Sequence, residues 1–298
     1  MKFIKVFLIL ILSAVILSGC DDNGHDVSLT DLKKWEKDIE NVTHSVEQLV
    51  SSSTPDIKNT KEDQDLIGSE TNNENYAYIN NNKTELNTKD QKKLTEKGNH
   101  KFWVEYPDLD GQGRAGQVTA LVTSDAVHSH SSKVIQRPSF AYGVHVAGEY
   151  EDGIYDPMKQ TWKGEHSNNK ILQLDGYRGY IYNKSHSLAW SLGGDMETHN
   201  LTLGTRAQNV GTNRDSEGGG MGYSETQIRN AIYDQPQTKV YYQITPVYKG
   251  KELIPRGSHV RAYSINDDGQ TINLNVWVSN TQKGVNINYD NGTYTKIK

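Results

Sequence analysis

Tyr182-Asn183-Lys184-Ser185-His186-Ser187-Leu188, with Asn200-Leu201-Thr202-Leu203-Gly204-Thr205-Arg206-Ala207-Gln208-Asn209-Val210-Gly211 after it, is the stretch on which fold and chemistry turn. The run Tyr177–Tyr182 has the aromatic, turn-bounded texture of a strand, so His186 falls just after one. Beyond Ser224, Glu225–Asp234 reads as a helix, because Ile228 and Ile232 stand four apart on one face. A histidine, an amide at Asn209 and a carboxylate at Glu225 thus sit on successive elements.

Those residue types suit one reaction. Phosphodiester hydrolysis needs a base to activate water and a cation to neutralise developing charge. A histidine with an ordinary pKa of about 6.5 is able to accept a proton near neutrality. Amide and carboxylate oxygens suit Mg²⁺, which keeps several of its waters and needs no full protein cage. Read from spacing alone, each residue also has a plain alternative: a histidine beside a strand is usually a packing or surface residue.

Outward from this stretch, short runs such as Tyr76–Ile79 and Gln117–Thr123 alternate with Gly, Asn and Asp turns. Two more strands, Lys239–Tyr248 and Thr271–Val278, follow the helix. With no internal repeat and no second linker, the expectation is one α+β domain over 75–298 around a central antiparallel β-sheet. The Gly-rich stretch 213–222 is expected as a flexible turn, since Gly218-Gly219-Gly220 lacks the Lys-Ser/Thr of a phosphate-binding loop. It also carries Glu217, the carboxylate that competes with Glu225; Glu225 is preferred because it opens the expected helix. His128 and His130, one residue apart, are expected on a loop.

The amino terminus reads as a leader. Lys2 and Lys5 precede an apolar run from Phe7 to Leu17, too short for a comfortable membrane span, and Leu17-Ser18-Gly19-Cys20 closes it. The ending resembles a bacterial lipobox, so residues 1–19 are expected as a signal peptide and Cys20 as the lipidated mature terminus on the outer face of the cell membrane. Cys20 is the sole cysteine, which excludes intrachain disulfides and cysteine-based zinc sites. Leu32, Trp35, Ile39, Val42, Val46 and Leu49 form the seam of an amphipathic helix over 30–50. That seam fits either packing on its own domain or self-association. Residues 55–75 are charged and amide-rich, and are expected as a flexible tether completing a segment 20–74.

The net charge of −5 divides unevenly: residues 1–74 carry 7 Lys/Arg against 14 Asp/Glu, and residues 75–298 carry 25 against 23. The mildly basic C-terminal part permits phosphate binding without arguing strongly for it.

The ordered motifs resemble the DNA/RNA non-specific endonucleases of the ββα-metal superfamily, in particular their Gram-positive branch of streptococcal secreted DNases and DNA-entry nucleases. Beyond the 182–211 stretch, the resemblance is carried by Asn80-Asn81-Asn82, Leu109-Asp110-Gly111-Gln112-Gly113-Arg114-Ala115 and Arg137-Pro138-Ser139-Phe140. Thr245-Pro246-Val247-Tyr248-Lys249-Gly250, Leu253-Ile254-Pro255-Arg256-Gly257 and Asn280-Thr281-Gln282-Lys283-Gly284 extend it. The resemblance implies that His186 is the general base, Asn209 the direct ligand of Mg²⁺ (or Mn²⁺), and Glu225 the acidic residue supporting the metal. Asn200 would position the histidine or its loop. It implies DNA and RNA as substrates, little sequence preference, and products with 5′-phosphate ends. Lys184 departs from the pattern, standing where many relatives carry Arg; lysine keeps the charge but loses the two-pronged grip on phosphate, so lower activity is expected. Arg206 and Arg229 are further candidates for phosphate contact. The departure at Lys184 also supports a second expectation, a surface DNA-binding lipoprotein whose catalytic site has decayed.

Overall fold

Alternation along Val240–Val247 sets the architecture. Val240, Tyr242 and Ile244 join the main apolar core, while Tyr241, Gln243 and Thr245 line a polar cavity on the opposite face. In the computed structural model, residues 33–42, 45, 56–174, 176–211 and 218–297 are described, in two units, Met1–Val50 and Ser51–Lys298.

In the first unit, residues 33–42 form a helix, α1, in which Trp35 and Ile39 are half-buried and Val42 is exposed. The expectations for the leader, for Cys20 and for Leu32, Val46 and Leu49 lie outside the described residues, as does Glu217.

The second unit is built on a six-stranded antiparallel sheet. Its order is β1 (Tyr76–Tyr78), β12 (Asn273–Ser279), β11 (Gly257–Ser264), β10 (Val240–Val247), β3 (Val118–Val122) and β2 (Trp103–Glu105). Four antiparallel hairpins accompany it: β4 (Ile154–Asp156) with β5 (Thr161–Lys163), β6 (Ile171–Leu174) with β7 (Tyr177–Tyr180), β8 (Tyr182–His186) with β9 (Leu201–Thr205), and β13 (Val285–Ile287) with β14 (Tyr294–Lys296). The described helices of this unit are α2 (Lys61–Asp65), α3 (Thr88–Lys97), α4 (Ser124–Ser129), α5 (Arg206–Val210) and α6 (Met221–Asp234). The expected α+β class with a central antiparallel sheet is the observed one.

One face of the sheet packs on α6. Met221, Ile228 and Ile232 are buried there against Val240, Tyr242, Val260 and Val276. Each such aliphatic side chain contributes about 1.5–3 kcal/mol on burial. A second apolar cluster joins Tyr182, Leu201 and Leu203 of the β8–β9 hairpin to Val146, Ile254 and Val285. The hairpin that carries His186 is therefore anchored by its own core.

His128, expected on a loop, lies in α4, with His130 as its C-cap. Three further expectations need correction. The strand expected over Tyr177–Tyr182 is interrupted at Ile181, whose backbone N–H donates to Lys170 O, so that β7 pairs with β6 and β8 with β9. The helix expected from Glu225 starts at Met221, placing Glu225 in its second turn. The third concerns residues 56–75, expected as a tether, which instead pack on the domain. Leu66 is buried against Val247 and Trp277, and Asn59 bonds both Pro246 O and the Tyr248 N–H. Thr60 and Asp63 form a reciprocal cap on α2, and Asp63 Oδ1 lies 2.8 Å from His259 Nδ1. The other ring nitrogen, Nε2, lies 2.7 Å from Asn275 Oδ1. Polar contacts replace the apolar ones that the segment lacks.

Burial pushes the Asp63 carboxyl upward, but its bonds with His259 and Thr60 hold it below the ordinary carboxylate value. A depressed native pKa means that its contribution is present above the unfolded carboxyl pKa of about 3.9 and is lost as pH falls through the native value. Asp63→Asn is expected to cost about 1–3 kcal/mol and to release the 56–66 backbone. Hydrogen exchange of those amides checks this; unchanged protection in the variant would contradict it.

Candidate active site

His186 closes β8, opposite Leu201 of β9. The long connection between the two strands is held shut by Asn200, whose side chain is fully buried. Asn200 Oδ1 accepts from Leu188 N at 2.8 Å, and its Nδ2 donates to Leu188 O and Asp195 O at 2.9 Å. Its carbonyl accepts from Ser187 N at 2.8 Å, and the Tyr242 hydroxyl donates to Ser187 O at 2.9 Å. The backbone beyond His186 is thereby fixed from both sides.

The imidazole stacks on Phe140 at 5.7 Å between ring centroids. Its Nε2 lies 3.2 Å from Met196 Sδ, while Nδ1 has no hydrogen-bond partner among the described residues. A thioether sulfur only accepts, so this contact favours the tautomer with hydrogen on Nε2 and a lone pair on Nδ1. Burial, with a lesser push from Arg137 and a partial offset from Asp195, lowers the His186 pKa to about 4. The ring is neutral at pH 7, the state a base requires.

Asn209 sits on α5, which follows β9 without a loop. Thr205 caps this helix: its Oγ1 accepts from Gln208 N and donates to Thr281 O. Asn280, fully buried, accepts from Thr205 N and donates to Leu203 O and Pro255 O; Gln282 Oε1 accepts from Ala207 N. The Asn280-Thr281-Gln282 stretch is thus the cradle that orients α5. Ser185, the neighbour of His186, reaches Asn209 Oδ1 with a long 3.4 Å contact.

Glu225 is delivered by α6, whose start packs tightly on α5. Gly220 precedes it with φ +54°, and a Cβ there would stand 2.2 Å from Gln208 O. Only glycine tolerates both that conformation and that approach. Burial pushes the Glu225 carboxyl up to about 7, partly offset by Arg229 and Arg137. Tyr242 lies in its field too: burial first, then the Glu225 charge, raises the phenol well above its ordinary range. The hydroxyl that fixes Ser187 is therefore close to Glu225, and Arg137 acts on both Glu225 and His186.

The cationic candidates separate. Arg229 bonds Ser191 Oγ and Thr226 Oγ1 at 3.2 Å and acts on Glu225. Arg206 lies over the Tyr177 ring at 6.0 Å, beside β7. Lys184, expected to face phosphate, is turned to other partners; its Nζ pairs with Glu149 Oε1 at 3.2 Å and donates to Val144 O. With its charge matched by Glu149 and its side chain largely buried, it is a tie between β8 and the 144–149 loop. Arg137 and Met196 were not singled out from sequence. Arg137 lay within the Arg137-Pro138-Ser139-Phe140 stretch that carried the resemblance, so a signal existed; Met196 had none.

The donor set fits a hard divalent cation. Asn209 Oδ1 and the Glu225 carboxyl are oxygen donors, and Arg229 and Arg137 favour the charged form of Glu225. Among the described residues no three His, Cys, Asp or Glu side chains cluster into a cage. An oxygen donor set of this kind suits a hard cation that retains water ligands.

Residues 156–266 match the family model for DNA/RNA non-specific endonuclease. A deoxyribonuclease of Streptococcus dysgalactiae subsp. equisimilis is 34% identical over 202 residues, covering 63% of this chain and 59% of that protein. The match thus spans less than two thirds of the relative's length. The structure of Sda1 nuclease with bound zinc ion superposes with a TM-score of 0.60 at 29% identity, over 75% of this chain and 97% of that one. NucA from Streptococcus agalactiae, with magnesium bound, shares the fold at a TM-score of 0.51 and 21% identity, over 75% of this chain and 88% of that one. Over residues 156–266, then, this chain is similar to the DNA/RNA non-specific endonucleases.

Proposed function

We propose that this protein is a surface-anchored, Mg²⁺-dependent endonuclease that hydrolyses DNA, and RNA as well, with little sequence preference. The observation that carries the reading is His186: a neutral imidazole with an open Nδ1, whose chain neighbour Ser185 contacts Asn209 and which shares the field of Arg137 with Glu225.

His186 Nδ1 takes the proton of the attacking water. The Nε2–H, directed at Met196 Sδ, keeps that lone pair available, and the Phe140 ring fixes the plane of the imidazole. Arg137 and Arg229 supply positive charge for the scissile phosphate. Asn209 and Glu225 would hold the Mg²⁺, with Mn²⁺ as a substitute. The cation, when bound, neutralises charge developing on the phosphate and on the departing 3′ oxygen. Departure of that oxygen leaves 5′-phosphate ends. Phosphate contacts carry no base information, which accounts for weak sequence preference. The anchor at Cys20 places the domain at the outer membrane face, and α1 is the surface offered for self-association.

A gel assay with plasmid DNA and with RNA, run in Mg²⁺ and in EDTA, tests the reading. Cutting of both in Mg²⁺ and silence in EDTA is the expected result. DNA binding without cleavage in Mg²⁺ and Mn²⁺ would favour the decayed-site alternative instead.

Arg137→Ala is expected to lower kcat/KM roughly ten- to a hundredfold, the loss of one charge-assisted phosphate contact. Removing a cation that disfavours imidazolium also raises the His186 pKa, so the acid limb of the pH–rate profile should move to higher pH. A full pH profile of the variant checks this; an unmoved limb would place Arg137 away from the histidine.

A further inference from the structure

A cleft of about 750 Å³ opens beside the site and shares Arg137 and Arg229 with it. Its volume lies in the range of pockets that enclose a small organic ligand, about 300–1,000 Å³. The walls are aromatic. His130 meets Trp190 edge-on at 4.5 Å between centroids, and His128 meets Tyr233 edge-on at 5.1 Å. Both histidines turn Nδ1 towards backbone carbonyls of α4, Ser124 O at 2.8 Å and Ala126 O at 2.9 Å. A carbonyl only accepts, so each Nδ1 carries its hydrogen and each Nε2 is left without a partner among the described residues.

The rim and charge narrow the occupant. Ile135 and Tyr233 are 47% and 40% exposed, apolar surface at the mouth of a cleft that no other described segment covers. Lys133, Arg137 and Arg229 line it, and no carboxylate does. Aromatic faces beside guanidinium groups are the means by which proteins bind unpaired bases without reading their identity. A base within a duplex is stacked and paired, and entering such a cleft would first cost its unstacking.

We infer that this cleft is a subsite for the unstacked base of a nucleotide flanking the scissile phosphate, and that it gives the enzyme a preference for single-stranded nucleic acid. The inference rests on the nuclease reading for the position of the phosphate between Arg137 and Arg229. The cleft's aromatic walls are a separate observation, and binding can be measured apart from cleavage.

The test uses Ile135→Ser/Tyr233→Ser, two exposed positions outside the catalytic set, introduced into the His186→Ala full chain so that substrate survives. Fluorescence anisotropy reads binding of a single-stranded oligothymidylate and of a duplex of equal length. Loss of base stacking is expected to weaken single-strand binding about tenfold, with duplex binding changed less than about twofold. Unchanged single-strand binding, equal loss on both substrates, or no single-strand binding by the parent would each overturn the inference. A wild-type protein that binds single strands through this cleft yet cuts nothing would instead sink the nuclease reading and leave the cleft standing.

Discussion

His186→Ala is expected to lower kcat on plasmid DNA by about 10²–10⁴, the usual contribution of a positioned general base, while leaving DNA binding nearly unchanged. The size of the loss follows from how completely the structure commits this ring. Its plane is set by Phe140, its Nε2 by Met196, and the backbone beyond it by Asn200 and Tyr242. His199, on the same loop, is engaged by Asp195 at 2.8 Å and stacked on Tyr106 at 4.4 Å. Binding should persist because Arg137 and Arg229 stay in place. The measurement is single-turnover cleavage with the circular dichroism spectrum as a check on folding; robust cutting by a folded variant would remove His186 from the mechanism.

The largest expected effect on stability falls far from the chemistry, at Arg114. Its side chain is 1% exposed, lies over the Tyr248 ring at 4.7 Å and pairs with Asp110 Oδ2 at 2.7 Å. It also donates to Gly250 O and Glu252 O, tying the 109–114 turn to the loop after β10. Arg114→Ala leaves the Asp110 carboxylate buried without its cation, a change that typically costs about 3–5 kcal/mol. Against a total stability of about 5–15 kcal/mol for an ordinary domain, that is a large share. Arg114→Lys should recover little, because one ammonium cannot serve the carboxylate and two carbonyls in the same fork. Removing Asp110 as well should not rescue the variant. Asp110 also accepts from the backbone N–H of Ile57, Gln112 and Arg114, donors that would then be orphaned. The urea midpoint reports the loss; a midpoint within the error of wild type would contradict this account of the pair.

The sequence located the elements that carry the proposed site residues: His186 ends a strand, and Asn209 and Glu225 lie on the two helices that follow its hairpin. Apolar runs bounded by turn residues, such as β10, announced themselves as strands. β11 did not, because its alternation is disguised: Ser258 and Ser264 face the core side while His259 and Arg261 fill the polar cavity. The segment 56–75 was illegible for the same reason. Its attachments, Asp63 to His259 and Asn59 to Tyr248, are polar contacts between residues far apart in the chain, and composition reads them as solvent-exposed. Arg137 and Met196 reach the histidine from irregular loops, where no periodicity marks a direction. Lys184 shows the opposite failure. Its motif position suggested phosphate, but Glu149, a partner invisible from the motif, takes its charge.

Convergence of His186, Asn209 and Glu225 on one cation is most directly tested with Mn²⁺ and protein labelled with ¹³C at its histidine rings. Stoichiometric Mn²⁺ should broaden the His186 ring resonance beyond detection in the wild-type chain and leave it sharp in Asn209→Ala. A His186 resonance untouched by Mn²⁺, or broadened equally without the Asn209 amide, would contradict the account.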